Sequence, residues 1–370
     1  MMFDRRLIQN FDWVFLGLVL MLVGLGIMNL YSASSGFTSR GTPVYIKQTY
    51  MLVMGLGAML VTLFFDYHQL ERSAYLLYAF GLGLLVLVSL TGRSISGTQR
   101  WLDLGLFSFQ PSELVKIFTI IIFARYFSRR EYPEGLSLKD LALPVLLMGV
   151  PFFLILKQPD LGTALHLAIA CVSIIFLLKI RWYVLLLLSA ISALALPFIW
   201  SFLKSYQKER IMSFLDPSRD PQGSGYHIIQ SKIAVGSGHL WGKGFMEGTQ
   251  SHLRFLPERH TDFAFSVLAE EWGFIGSLVI LVLFFLLIIA GLRIVSRSQD
   301  RFGAVLGLGL VALIFWQFFF NICMVLGLIP VVGIPLPFIS YGGTSLVTLF
   351  IAVGLLLNIN MRRFMFQQSS

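Results

Sequence analysis

Between Leu256 and Phe263 every position is a proline, a charged residue, a histidine or a threonine, in the order Pro257-Glu258-Arg259-His260-Thr261-Asp262. From Phe263 an apolar run continues with few breaks to Leu292. An acid at such a boundary has two uses. Asp262 can cap the coming helix, its carboxylate accepting an orphan backbone N–H of the first turn. It can also be a catalytic carboxylate at a membrane–water boundary, with His260 and Arg259 beside it. Position alone leaves both readings open.

A charged residue inside an apolar span costs about 2.5–3.5 kcal/mol on insertion scales, so each one needs a reason. The run Gln110-Pro111-Ser112-Glu113-Leu114-Val115-Lys116 opens a helix, with Pro111 suited to its first turn. The i,i+3 spacing puts Glu113 and Lys116 on one face. They are either a self-neutralising pair or a cavity wall in which Lys116 meets an anionic substrate and Glu113 orients it. Asp160, after Pro159, is placed to cap a helix. Glu270 and Glu271 follow two turns beyond Asp262. Glu270 falls about 80° around an ideal helix from Asp262, so it either faces the same cavity or pairs structurally. His166 reads as a hydrogen-bonded core histidine. No spacing resembles a structural zinc site or assigns a Ser-His-Asp set. From Gly333 to Ser345, two prolines, Ser340 and the pair Gly342-Gly343 precede an apolar run. That stretch is either a plain turn or free backbone lining a watery cavity.

The elements that must position these residues are membrane helices. The chain has 370 residues, 56% hydrophobic and 13% charged, with mean hydropathy +0.79. Soluble domains carry roughly 25% charge. The expected fold is all-α and polytopic, a single transmembrane domain over 1–370 with about ten spans and a large outer loop, 203–262, between helices 7 and 8. Apolar stretches fall near 13–31, 46–65, 73–91, 111–127, 141–156, 161–178, 182–202, 263–293, 303–328 and 339–360, each near the length a bilayer requires. Pro144 and Pro151 predict that the fifth span is short and broken. The first run is too long for a signal peptide's apolar core, so it reads as an uncleaved helix.

Lys and Arg divide fourteen to five between alternate short connections, which predicts cytoplasmic N- and C-termini. The net charge of +9 lies in loops, which excludes a nucleic-acid footprint and suits anionic lipids or lipid-linked substrates. Cys171 and Cys323 sit in apolar runs as packing residues, not as a disulfide framework. Within the long loop, residues 226–235 have helix-spaced apolar positions and stop at Gly236-Ser237-Gly238; they read as an amphipathic interfacial segment. Asp216-Pro217 and Asp220-Pro221 mark turns before it. No internal repeat, low-complexity segment or nucleotide-binding loop is visible.

Six separated motifs resemble the SEDS family (shape, elongation, division and sporulation). They are Gly97–Gly105, Phe109-Gln110-Pro111-Ser112-Glu113, Gln158-Pro159-Asp160-Leu161-Gly162-Thr163, Gly223–Ala234, Pro257–Phe263 and Ile339-Ser340-Tyr341-Gly342-Gly343. The resemblance runs in order from about residue 13 to 361, and its wording is nearest the rod-elongation branch, with the division branch its rival. It implies a peptidoglycan glycosyltransferase of the bacterial inner membrane that polymerises lipid II on the outer face, beside a class B penicillin-binding protein. The family's essential acid falls on Asp262, and its Glu and Lys on Glu113 and Lys116. In that reading Asp262 is a general base, while Lys116, Arg210 and Lys232, with or without a divalent cation such as Mg or Mn, steady an undecaprenyl pyrophosphate leaving group. His260 and Ser340 complete the expected substrate site. A lipid II flippase without chemistry, or a scaffold that recruits a transpeptidase, are the rival classes.

Overall fold

The computed structural model describes residues 9–34, 42–95, 98–103, 105, 108–219, 223–252, 255–256 and 258–363. Ten long helices carry the chain: α1 (Trp13–Ser34), α2 (Val44–Phe64), α3 (Tyr67–Thr91), α4 (Pro111–Ser128), α5 (Leu138–Lys157), α6 (Leu161–Leu177) and α7 (Trp182–Phe202), then α11 (Ala264–Ser296), α12 (Arg301–Val325) and α13 (Gly343–Arg362). Among the described residues, seven of these are long and apolar enough to cross a membrane; α4 is more charged and α6 is shorter. The protein is a helical, multi-pass membrane protein. Between α7 and α11 lie α8 (Ser205–Leu215), a 3₁₀ turn at Pro217–Arg219, α9 (Ser224–Ser237) and a single turn, α10 (Thr249–His252). The turn expected at Asp220-Pro221 lies outside the described residues. A small antiparallel sheet, β1 (Arg93–Ile95), β2 (Thr98–Asp103) and β3 (Ser108–Phe109), joins α3 to α4 on the same face as this long loop.

Polar residues at the helix entrances fix where the chain turns. Asp66 caps α3 through the His68 N–H, and Asp300 caps α12 through the Gly303 N–H at 2.7 Å. Asp140 Oδ2 accepts the Ser137 N–H at the start of α5. Helices α4, α12 and α13 form the inside of the bundle, with few exposed positions along α12 and α13.

The expectation of a broken fifth span is corrected. α5 runs unbroken through both prolines. Each proline lacks an N–H and so deprives the carbonyl four residues earlier of its helical donor. For Pro151 that carbonyl is Leu147, which accepts the Tyr78 hydroxyl of α3 at 2.8 Å. For Pro144 it is Asp140, which accepts the Tyr126 hydroxyl of α4 at 2.9 Å. Neighbouring helices therefore supply both missing donors.

α11 also departs from its expected form. It is two helices joined at Gly273, whose φ of 66° and ψ of −160° are open only to glycine. Ser32 of α1 bonds Glu271, while Asn29, one turn deeper, bonds the Ala264 carbonyl at 2.9 Å. Likewise Asn321 of α12 meets Asp262, and Ser231 of α9 meets both Ser266 and Val325, farther along α12. The half-helix Ala264–Trp272 therefore runs parallel to the closing turns of α1 and α12, toward the loop face. Past Gly273 the chain reverses: Gly291 lies near Phe15, and Phe284 stacks on Phe318 at 4.4 Å. Residues 274–296 alone measure about 34 Å at 1.5 Å per residue, enough to span hydrocarbon about 30 Å thick.

The break is filled by the loop after α9. Phe274 N–H bonds His239 O at 2.8 Å, and Lys243 N–H bonds Glu270 O at 3.0 Å. A Cβ on Gly273 would overlap the Gly242 nitrogen, so two glycines meet where the backbones cross.

Tyr78→Phe should cost about 1 kcal/mol by leaving the half-buried Leu147 carbonyl without its donor. In a Pro151→Ala background, where residue 151 regains its N–H, that cost should largely vanish. Thermal unfolding of the single and double variants in detergent measures the difference, and equal costs in both backgrounds would refute the exchange of donors.

Candidate active site

Asp262 lies at the bottom of a re-entrant dip. Its carbonyl is held by Asn321, which stands one turn below the end of α12, and the half-helix that follows climbs back toward the loop face. The N-cap of α11 is Phe263, and no side chain caps this end, so the capping reading of Asp262 is corrected. Glu258 starts the dip with a φ of 50°, and its carbonyl accepts the Thr261 and Phe263 N–H groups. This tight turn leaves the Asp262 side chain partly exposed while Phe263 and Ala264 are buried.

The second wall is the segment from Leu326 to Gly342. It too descends between the helices: a Cβ on Gly26, two turns below the end of α1, would overlap Ile339. Gln48 donates to the Ser340 carbonyl at 3.1 Å, Gln317 to the Pro335 carbonyl at 3.0 Å, and Tyr341 N–H to the His260 carbonyl at 2.7 Å. Gly333, exposed and with a φ of 74°, faces Asp262; a Cβ there would sit 3.4 Å from Asp262 Oδ2. The stretch is thus no plain turn: its backbone lines the open space beside Asp262.

Charges converge on this point from three other elements. Arg210 of α8 donates to the Val331 carbonyl at 3.1 Å. Asp160, the cap of α6, accepts Gln110 Nε2 at 2.9 Å and lies 3.3 Å from Arg100 of β2. Burial pushes the Asp262 carboxyl up to about 6, with Glu258 and Asp160 adding to the rise and Arg210 and Arg100 opposing it. Burial, with Arg259 beside it, pushes His260 down to about 4, so His260 is neutral at pH 7. A carboxylate balanced near neutrality, partly open to solvent and flanked by two guanidinium groups, is suited to accept a proton next to an anionic group.

The other residues expected here are dispersed. Lys116 is 3% exposed inside the bundle, 2.8 Å from Glu113 and 3.1 Å from His166 Nδ1. His166 Nε2 bonds the Leu313 carbonyl at 2.8 Å, so Nε2 carries the hydrogen and Nδ1 accepts from the ammonium. This is a satisfied chain across α4, α6 and α12. Lys232 of α9 is exposed, its stem over Gly327, where a Cβ would overlap it. Ser340 Oγ accepts the Leu336 N–H at 2.9 Å and so shapes the second wall. Glu270 turns away from Asp262: Lys243 Nζ, Thr249 and the Gln250 N–H all meet its Oε1, at 2.6, 3.0 and 3.0 Å.

Residues that sequence reasoning missed are amides in apolar runs. Asn321 is fully buried and donates to the carbonyls of Asp262 and Ile334, both at 2.8 Å. Its Oδ1 has no partner among the described residues, so both of its contacts are donations to backbone. Among the described residues, no group of three or more His, Cys, Asp or Glu side chains is arranged to hold a metal ion.

Known proteins share this fold. A model of the FtsW/RodA/SpoVE family, described as cell cycle proteins, matches residues 12–364. The chain is 42% identical to the peptidoglycan glycosyltransferase MrdB of Escherichia coli strain K12, over 97% of each chain. Its fold matches a chain solved as part of a peptidoglycan synthase complex that coordinates polymerization and crosslinking, with TM-score 0.82 and 33% identity over 96% of this chain and 98% of that one. It also matches the rod shape determining protein RodA of Thermus thermophilus, with TM-score 0.71 and 31% identity over the same shares. These matches run almost end to end, and the chain belongs to the FtsW/RodA/SpoVE family of cell cycle proteins.

Proposed function

We propose that this protein is a peptidoglycan glycosyltransferase that polymerises lipid II into glycan strands during cell elongation, with Asp262 as its general base. The observation that carries the assignment is a partly exposed carboxylate lying against the Gly333 backbone, in a dip of the chain inside a membrane bundle, with the charges of Arg210 and Arg100 acting on it. The names of similar proteins supply the substrate class. The charge bias of the short connections supports an outer loop face and cytoplasmic termini, and the family likeness supports the bacterial inner membrane as the location.

The step is a single displacement. The acceptor sugar's 4-hydroxyl gives its proton to Asp262 as its oxygen bonds the donor's anomeric carbon. The bond from that carbon to undecaprenyl pyrophosphate breaks, and configuration inverts. A pyrophosphate leaves without a proton if its charge is met, so one carboxylate suffices where glycoside hydrolysis uses two. Arg210 and Arg100, whose charges act on the base, meet that charge. Lys232, exposed on the same loop, reaches the donor's headgroup. His260 and Ser340 shape the acceptor side, and Glu113 and Lys116 keep α4 and α6 in place beneath it. No step is routed through a divalent cation. The resemblance to a synthase complex supports a partner that crosslinks the strand, of the class B penicillin-binding type.

Asp262→Asn keeps the shape and should reduce polymerisation of lipid II by purified protein at least 10²-fold, the lower bound for a general base. Wild-type turnover in that variant refutes the assignment. In the parent enzyme, activity should rise as pH increases through about 6 and level off above it, because the base works ionised. Arg210→Ala removes an opposing cation and should move that limb to higher pH; Glu258→Gln removes an anion and should move it lower. Both shifts are read from pH profiles of initial rate. Lys116→Met should lower stability by about 3–5 kcal/mol by leaving Glu113 buried and unpaired. The pair Glu113→Gln with Lys116→Met should restore most of it, as thermal unfolding will show.

A further inference from the structure

We propose that Asn321 is a positioning residue for glycosyl transfer, a single buried amide that sets the distance between the base and the cation opposite it; this rests on the function proposed above. Asn321 spends one amide hydrogen on each wall of the recess, on the Asp262 carbonyl and on the Ile334 carbonyl, both at 2.8 Å. The Ile334 wall is the one that holds Arg210, through the Val331 carbonyl three residues earlier. Base and cation are thus each one short backbone segment from the same side chain.

Neither wall has a helical or sheet partner at these carbonyls, so their separation depends on what stands between them. Gly333, between Val331 and Ile334, lets the Asp262 carboxylate lie against this backbone. Asn321 opens a buried stretch of α12 that continues through Ile322, Cys323, Met324 and Val325. Among the described residues its Oδ1 has no hydrogen-bond partner, so its two donations are what the amide contributes here. A shift of about 1 Å between base and leaving-group cation is enough to cost 10²-fold in rate.

The test compares wild type, Asp262→Asn, Asn321→Ala and Asn321→Asp, purified in one detergent and supplied with lipid II. Asn321→Ala should lower kcat about tenfold or more, while KM for lipid II changes by less than about threefold. Amide hydrogen exchange should rise together in residues 258–263 and 331–336, and not along α12. Asn321→Asp keeps the shape but loses at least one of the two donations. It should lower kcat and move the acid limb to higher pH, and it carries the test if Asn321→Ala does not fold. A folded Asn321 variant with wild-type kcat, one with raised KM and intact kcat, or exchange that rises in one wall only overturns the proposal. If wild type makes no glycan, the function fails instead, and the exchange arm still decides whether Asn321 joins the walls.

Discussion

Backbone that leaves a helix below the rim of a membrane bundle must find its hydrogen-bond partners inside the protein. Every unusual feature of this fold answers that requirement. Two segments dip between the helices, 258–263 and the stretch after α12, and their carbonyls are met by Asn321, Gln48 and Gln317. Asn29 does the same for the first carbonyl of the half-helix. Where the dips touch each other, Tyr341 N–H meets the His260 carbonyl directly. The two prolines of α5 pose the same problem on a smaller scale, and two tyrosine hydroxyls solve it. The contacts that shape the surroundings of Asp262 are therefore the ones that satisfy the backbone inside the membrane.

This economy explains why charge at the site is finely balanced. Asp262 is pushed up by burial and by Glu258 and Asp160, and drawn back by Arg210 and Arg100. Fully buried, it would stay protonated; fully wet, it would be a weak base. The dip gives it an intermediate setting, with one side against Gly333 and another open.

Much of this could be read in the sequence, for physical reasons. A bilayer demands about 20 apolar residues per crossing, so the ten helices stand out with their ends nearly right. A lone acid after a run of polar residues is conspicuous, and Asp262 is where the resemblance placed it. Asp160 and His166 also behave as expected. What was hidden lies inside the apolar runs. Asn321 differs from any other polar residue in a span only by what its two hydrogens reach, and that is a property of tertiary structure. Gly273 is one of 33 glycines in a run that stays apolar across the break, so hydropathy sees one helix where the chain makes two. The prolines misled because sequence shows the donor they remove and not the hydroxyl that replaces it. Lys116 was placed correctly on a face with Glu113, but only the fold reveals that His166 is its second partner.

The reversal at Gly273 has an electrical consequence. Were α11 a single rod descending from the rim, its N-terminus would point outward into water. Because Ala264–Trp272 climbs instead, the amino end of that half-helix faces into the floor, beside Asp262. Aligned peptide dipoles put roughly half a positive charge at such an end, and they keep it there without a side chain or a titrating group. The fold thus carries a fixed, pH-independent field that favours the ionised form of the Asp262 carboxyl, the form in which the proposed base works.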